Sequence, residues 1–139
     1  MDIVKMTFES WNKPGLVYVG RINKNGSIGL GNPYGTKWNS LAYYYVSSEE
    51  KALNRYRDWV EMIISALKKG KISSLSKTQQ DYYKEMAKLA EAIQEKECIA
   101  LGCWCITIKN YIPVPDGKER CHAEILYKAC LKINELNNF

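Results

Sequence analysis

The side chains with the most chemical capacity in this 139-residue chain are Cys103, Cys105, Cys121 and His122, the last being its one histidine. Thiols and imidazole are the donor types of a tetrahedral zinc site. On a strand Cys103 and Cys105, two residues apart, share a face, but adjacent Cys121 and His122 normally diverge and lack the usual gap between paired ligands. Zinc is admitted without being favoured, and the cofactor stays unknown. A second use is nucleophilic. A cysteine at a helix start beside a histidine gains thiolate character, which makes Cys121 a candidate nucleophile and His122 its base or orienting group. The plainer alternative has Cys121 capping the helix, His122 hydrogen-bonding a neighbour or ligand, and the other cysteines buried. The residues leave these readings open, and with them whether the chain is an enzyme.

A different chemistry is suggested by the segment from Asn23 to Lys37, rich in Gly and Asn and holding Gly31-Asn32-Pro33-Tyr34. Glycine lets backbone N–H groups approach a ligand closely, an arginine such as Arg21 offers a bidentate fork, and a helix start at Cys121 adds partial positive charge. Together these suit a phosphate-bearing nucleotide or nucleoside derivative. Arg21, Gly31, Asn32, Pro33, Tyr34, Cys103 and Cys105 are then the candidate ligand-binding residues, with Cys121 and His122 catalytic if a reaction follows. The lysine-bearing P-loop and the dinucleotide glycine fingerprint are both missing. Tyr34, Trp38, Tyr43, Tyr44 and Tyr45 are candidates to stack a base, whereas Tyr56 and Trp59 belong to packing.

The elements that must position these residues follow from periodicity. Ile3 to Phe8 and Leu16 to Arg21 read as strands, the stretch from Asn23 to Lys37 as a loop, and Leu41 to Val46 as a strand or the approach to a helix. Ser47 with Glu50 makes a capping box for a helix reaching Gly70, and a second helix runs from about Thr78 to Lys96 with Tyr82, Met86, Leu89, Ala90 and Ile93 on one face. The nearly continuous apolar run Cys98 to Ile106 predicts a central, buried parallel strand, which would point Trp104 to the opposite side from its flanking cysteines. Asn110 to Arg120 reads as an exposed loop, and Cys121 to Leu136 as a closing helix. This order favours a single α/β domain over residues 1–139, a three-layer, Rossmann-like fold with a small, mostly parallel sheet flanked by helices. Ligands in such folds sit beyond the carboxyl ends of the strands, which gathers Arg21, the Gly31 loop, Cys103, Cys105, Cys121 and His122 at one rim.

Composition bounds the rest. Apolar residues at 46% and charged residues at 25% are globular values and exclude wholesale disorder. A net charge of +5, with acids interspersed, permits a nucleic-acid partner without requiring one. Five cysteines, an odd number, the lack of a charged-then-apolar leader and of any membrane-length apolar run predict a cytoplasmic protein with no membrane partner. Oligomeric state is not readable.

Several of these segments fall into one pattern: Val17-Tyr18-Val19-Gly20-Arg21, Gly31-Asn32-Pro33-Tyr34, Tyr56 with Trp59, Leu101-Gly102-Cys103-Trp104-Cys105, and Cys121-His122. Over roughly residues 16 to 131 the chain resembles DUF4326, a bacterial and phage domain of unknown function. It departs from that pattern at Ala123, where a glycine usually follows Cys-His, and in the longer connection from Ile106 to Arg120. The resemblance supports the fold and the site and implies no particular activity. A zinc-stabilised module for nucleic acid or a protein partner, of phage or prophage origin, and a cysteine-dependent hydrolase or transferase therefore stand beside the nucleotide reading.

Overall fold

The computed structural model describes residues 1–24, 27–37 and 41–138. Its strands are β1 (Asp2–Lys5), β2 (Leu16–Tyr18), β3 (Arg21–Lys24), β4 (Ser27–Gly29), β5 (Tyr34–Gly35), β6 (Tyr44–Tyr45) and β7 (Ala100–Cys103). Its α-helices are α1 (Glu49–Lys68), α2 (Lys77–Gln94) and α3 (His122–Asn137). The principal sheet has the order β1-β7-β2 with both pairings parallel, accompanied by a β3–β4 hairpin and a short parallel β5–β6 pair. This is a mixed α/β fold with a small, mostly parallel sheet.

Apolar β7 takes the central place because both of its edges are paired. Leu101 lies between Ile3 and Val17, and Leu101, Ile3 and Cys103 are fully buried. Gly102 allows the close packing, since a Cβ there would fall 2.3 Å from Met6 Sδ. The strand is shorter than the expected Cys98 to Ile106. β1 ends at Lys5 and β2 at Tyr18, so the last rungs are Met6 N–H to the Cys103 carbonyl at 2.7 Å and Val19 N–H to the Gly102 carbonyl at 2.8 Å. Beyond these rungs Trp104 and Cys105 turn out to solvent, and Trp104 does not enter the far side of the sheet.

The early strands differ from expectation for local reasons. After Lys5 the chain bends into a 3-10 turn, Phe8–Asn12, because the Thr7 N–H donates to Ser10 Oγ at 2.9 Å. The strand expected from Leu16 to Arg21 breaks at Val19-Gly20, and Arg21 opens β3 instead. Part of the stretch read as a loop is therefore a hairpin. Its Asn25-Gly26 dipeptide is a strong hairpin signal in sequence, and residues 25–26 lie outside the described residues. Tyr44 and Val46 donate backbone bonds of 2.8 Å to Pro33 and Gly35, which makes β6 a strand.

The helices carry the apolar faces their spacing predicts. α1 buries Ala52, Tyr56, Trp59, Val60, Ile63 and Ile64, and α2 buries Tyr82, Met86, Leu89 and Ala90. The α1 cap is Ser48, accepting from Lys51 N–H at 3.1 Å, one residue later than expected, and Gly70 past its end has φ +66°. α3 packs on α1, α2 and β7 through Ile125, Leu126, Ala129, Cys130 and Ile133. Among the described residues no helix is long and apolar enough to cross a membrane.

The connection before α3 is mostly exposed yet firmly strapped down. Ile108 exchanges backbone bonds of 2.7 and 2.9 Å with Ile3, and Tyr111 N–H reaches the Met1 carbonyl at 2.8 Å. Buried Glu119 accepts from Arg57 Nε at 3.2 Å and from Gly117 N–H at 3.1 Å, while Lys128 Nζ donates to the Val114 carbonyl at 2.8 Å. Tyr111 and Glu119 are thus inside, against the expectation of an open loop.

Candidate functional site

Parallel pairing puts the carboxyl ends of β1, β7 and β2 at the same rim of the sheet. The start of α3 reaches that rim too, because His122 Nε2 lies 2.6 Å from the Val19 carbonyl oxygen. Between these parts opens a cleft of about 460 Å³. Arg21, Asn32, Cys105, Cys121 and His122 all line it, so the three sequence-distant segments do meet.

The cleft's charge is mostly positive. Arg21, Lys37 and Arg120 contribute cations and Glu49 the one acid of its lining. Cys121 is the N-cap of α3 and makes no side-chain cap, and the start of the helix, with Glu124 buried in its first turn, lies beside the cleft. Arg120 is held at the mouth by Glu124, whose fully buried carboxylate accepts from the Arg120 backbone N–H at 2.5 Å and lies 3.6 Å from its guanidinium. The side wall is aromatic: Trp104 Nε1 donates to Tyr18 Oη at 2.8 Å, and both rings line the cleft.

Arg21 has a second task. Its Nε donates to the Asn32 carbonyl and its Nη2 to the Tyr34 carbonyl, each at 2.7 Å, so the guanidinium clasps the Gly-Asn-Pro-Tyr loop from inside. Gly31 is required beneath it, because a Cβ there would sit 2.6 Å from the Arg21 backbone. Asn32 commits both ends of its side chain, accepting from Tyr34 N–H at 2.9 Å and donating to the Ala52 carbonyl at 3.3 Å. Pro33 is buried, and Tyr34 stacks on Tyr44 with ring centroids 4.9 Å apart. Of these, Arg21 and Asn32 line the cleft, whereas Gly31, Pro33 and Tyr34, and Cys103 with them, are not among its lining residues. Trp38 lies outside the described residues, and Tyr43, Tyr44 and Tyr45 are exposed.

All five cysteines are free thiols. Cys103, Cys105 and Cys121 lie close enough to influence one another, and Cys103 Sγ donates to the Ile106 carbonyl at 3.6 Å. Their mutual interaction holds Cys103 below the usual thiol range and Cys105 and Cys121 above it. Cys121, the candidate nucleophile, is buried, and Cys105 is the exposed thiol at the cleft. Burial holds the His122 imidazole below its usual range, opposed by its bond to Val19. A carbonyl only accepts, so Nε2 carries the proton and the Nδ1 lone pair looks toward Cys121 Sγ, 3.9 Å away. Adjacent Cys121 and His122 therefore converge here. Among the described residues no group of three or more His, Cys, Asp and Glu side chains has an arrangement that could hold a metal ion.

Sequence reasoning missed Tyr18, Lys37, Trp104 and Arg120 as cleft residues. Tyr18 and Trp104 stand at strand ends, where the carboxyl-rim rule could have found them; Lys37 and Arg120 are loop charges with no local signal.

No curated protein and no solved structure matches the chain. The family of domains of unknown function DUF4326 matches residues 4–132, nearly the whole length, and includes the strand, loop and Cys-His segments that build the cleft. The chain belongs to the DUF4326 family.

Proposed function

We propose that the cleft binds a phosphate-bearing nucleotide or nucleoside derivative. The observation that carries this reading is the grouping of Arg21, Lys37 and Arg120 with the start of α3 around a cleft walled by Trp104 and Tyr18. Cations and a helix start suit a phosphate, and a neighbouring indole suits the flat face of a base. We read the β1-β7-β2 sheet and its helices as a small three-layer, Rossmann-like arrangement, where ligands sit beyond the strand ends. In this reading Arg120, Lys37 and the first turn of α3 take the phosphate. Arg21 adds charge while holding the loop, and His122 accepts from the ligand or from Cys121 through Nδ1.

The test is a thermal-shift series with nucleoside 5′-phosphates, the matching nucleosides and inorganic phosphate. Saturating nucleotide raises Tm by about 5 °C or more, the bare nucleoside by much less, and Lys37→Ala reduces the gain. Equal shifts from nucleoside and nucleotide, or none, would overturn the proposal. Stoichiometric zinc in the purified protein, with no nucleotide effect, would favour the zinc-stabilised module instead.

A further inference from the structure

The aromatic wall of the cleft continues outside it. Trp104 and Tyr18 meet Trp11, with Trp11 centroids 4.8 Å from Tyr18 and 6.3 Å from Trp104. Trp11 lies on the 3-10 turn Phe8–Asn12, and in such a turn residues three apart eclipse, so Phe8 falls on the same edge as Trp11. This row is not core: Phe8 is 94% exposed, Trp104 55% and Trp11 53%. Large rings left so open and gathered along one edge form the kind of surface that a partner covers.

The surroundings narrow what covers the row. It begins at the cationic cleft, and Lys5 and Lys13, both exposed, flank the turn in sequence, with Glu9 its one acid. A row of rings that starts at a cationic cleft, on a turn flanked by lysines, fits a chain of bases joined by phosphates, because every base offers a stackable face and every linkage a negative charge. A protein partner would need no such continuity with a cationic cleft.

Resting on the nucleotide reading, the geometry points to a single-stranded nucleic acid as the ligand: one nucleotide occupies the cleft against Trp104 and Tyr18, and the next bases stack on Trp11 and Phe8. The cleft then reads an end or an unpaired position of a strand, and the aromatic row supplies affinity with little sequence preference.

Calorimetric titration of the full chain with nucleoside 5′-monophosphates and with single-stranded tetranucleotides of the same bases tests this, in separate DNA and RNA arms. The tetranucleotide binds on the order of ten- to a hundredfold tighter than the mononucleotide. Phe8→Ser removes a several-fold part of that gain while mononucleotide affinity stays unchanged, and Trp11→Ala removes more of it. Phe8 is so exposed that its substitution leaves the fold intact. Mononucleotide binding with no gain from added nucleotides overturns the inference and leaves the cleft reading standing; no binding of either ligand overturns both. A change of oligomeric state in Trp11→Ala, with nucleotide affinities unaltered, would assign the row to a second copy of the chain.

Discussion

His122 Nε2 donates to the Val19 carbonyl across 2.6 Å, and this bond fastens the start of α3 to the end of β2. It fixes which ring nitrogen keeps the proton. Burial, working against that bond, keeps the imidazole a neutral, inward group, with the Tyr56 ring edge-on at 5.7 Å and Cys121 Sγ 3.9 Å from Nδ1.

A pH dependence follows. Burial holds His122 below its ordinary value in the folded chain, so between that ordinary value and the lowered one the unfolded state binds more protons. Stability is therefore unaffected by this residue above about pH 7 and declines as pH falls through the ordinary imidazole range near 6.5. His122→Gln, whose amide can donate to Val19 without titrating, flattens the decline. Urea midpoints from about pH 7.5 to 5.5, above the carboxylate range, measure it; identical slopes for both proteins would refute the assignment.

Arg21 acts first as a clasp. Removing its two charged bonds to the Asn32 and Tyr34 carbonyls in Arg21→Ala costs about 3 kcal/mol, and Arg21→Lys recovers less than half because an ammonium cannot span both acceptors. Denaturant unfolding reads this directly. An unchanged midpoint in Arg21→Ala would show that the loop holds itself.

The strap before α3 depends on Glu119, which is buried against Arg57. Glu119→Ala leaves Arg57 and the Gly117 N–H without their partner and costs about 3 kcal/mol. Limited trypsin digestion then cuts at Lys118 and Arg120, which wild type resists. Equal cutting rates would mean that the strap is already open in the native protein.

Among the thiols, Cys105 alone is exposed, and the other four are buried. Alkylation under native conditions followed by mass spectrometry finds Cys105 modified first, with bound nucleotide slowing the reaction because Cys105 lines the cleft. Early modification of Cys121 would restore it as the leading nucleophile.

What was legible in the sequence, and what was not, divides by how local the cause is. Tyr56, Trp59, Ile63 and their neighbours announce α1 by spacing alone, and the apolar run at Leu101 announces a central strand. Where that strand ends was not legible, because the end is set by Lys5 and Tyr18, distant residues whose strands give out there. The same distance misplaced Trp104, whose predicted direction held only if the strand continued. The cap moved from Ser47 to Ser48 because Val46 N–H is engaged with Gly35 at 2.8 Å, which keeps the chain extended just before the helix. Meeting of the Arg21, Cys105 and His122 segments in one cleft was legible from the rule of strand ends, whereas the double use of Arg21 as a clasp required coordinates.

The most direct test of the cleft as the phosphate site is an amide NMR titration with a nucleoside 5′-monophosphate. Shifts should concentrate at Gly20, Arg21, Arg120, Cys121 and His122, with the Trp104 indole N–H moving in parallel. Shifts confined instead to the groove lined by Lys68, Lys128 and Lys132, on α1 and α3, would contradict the account.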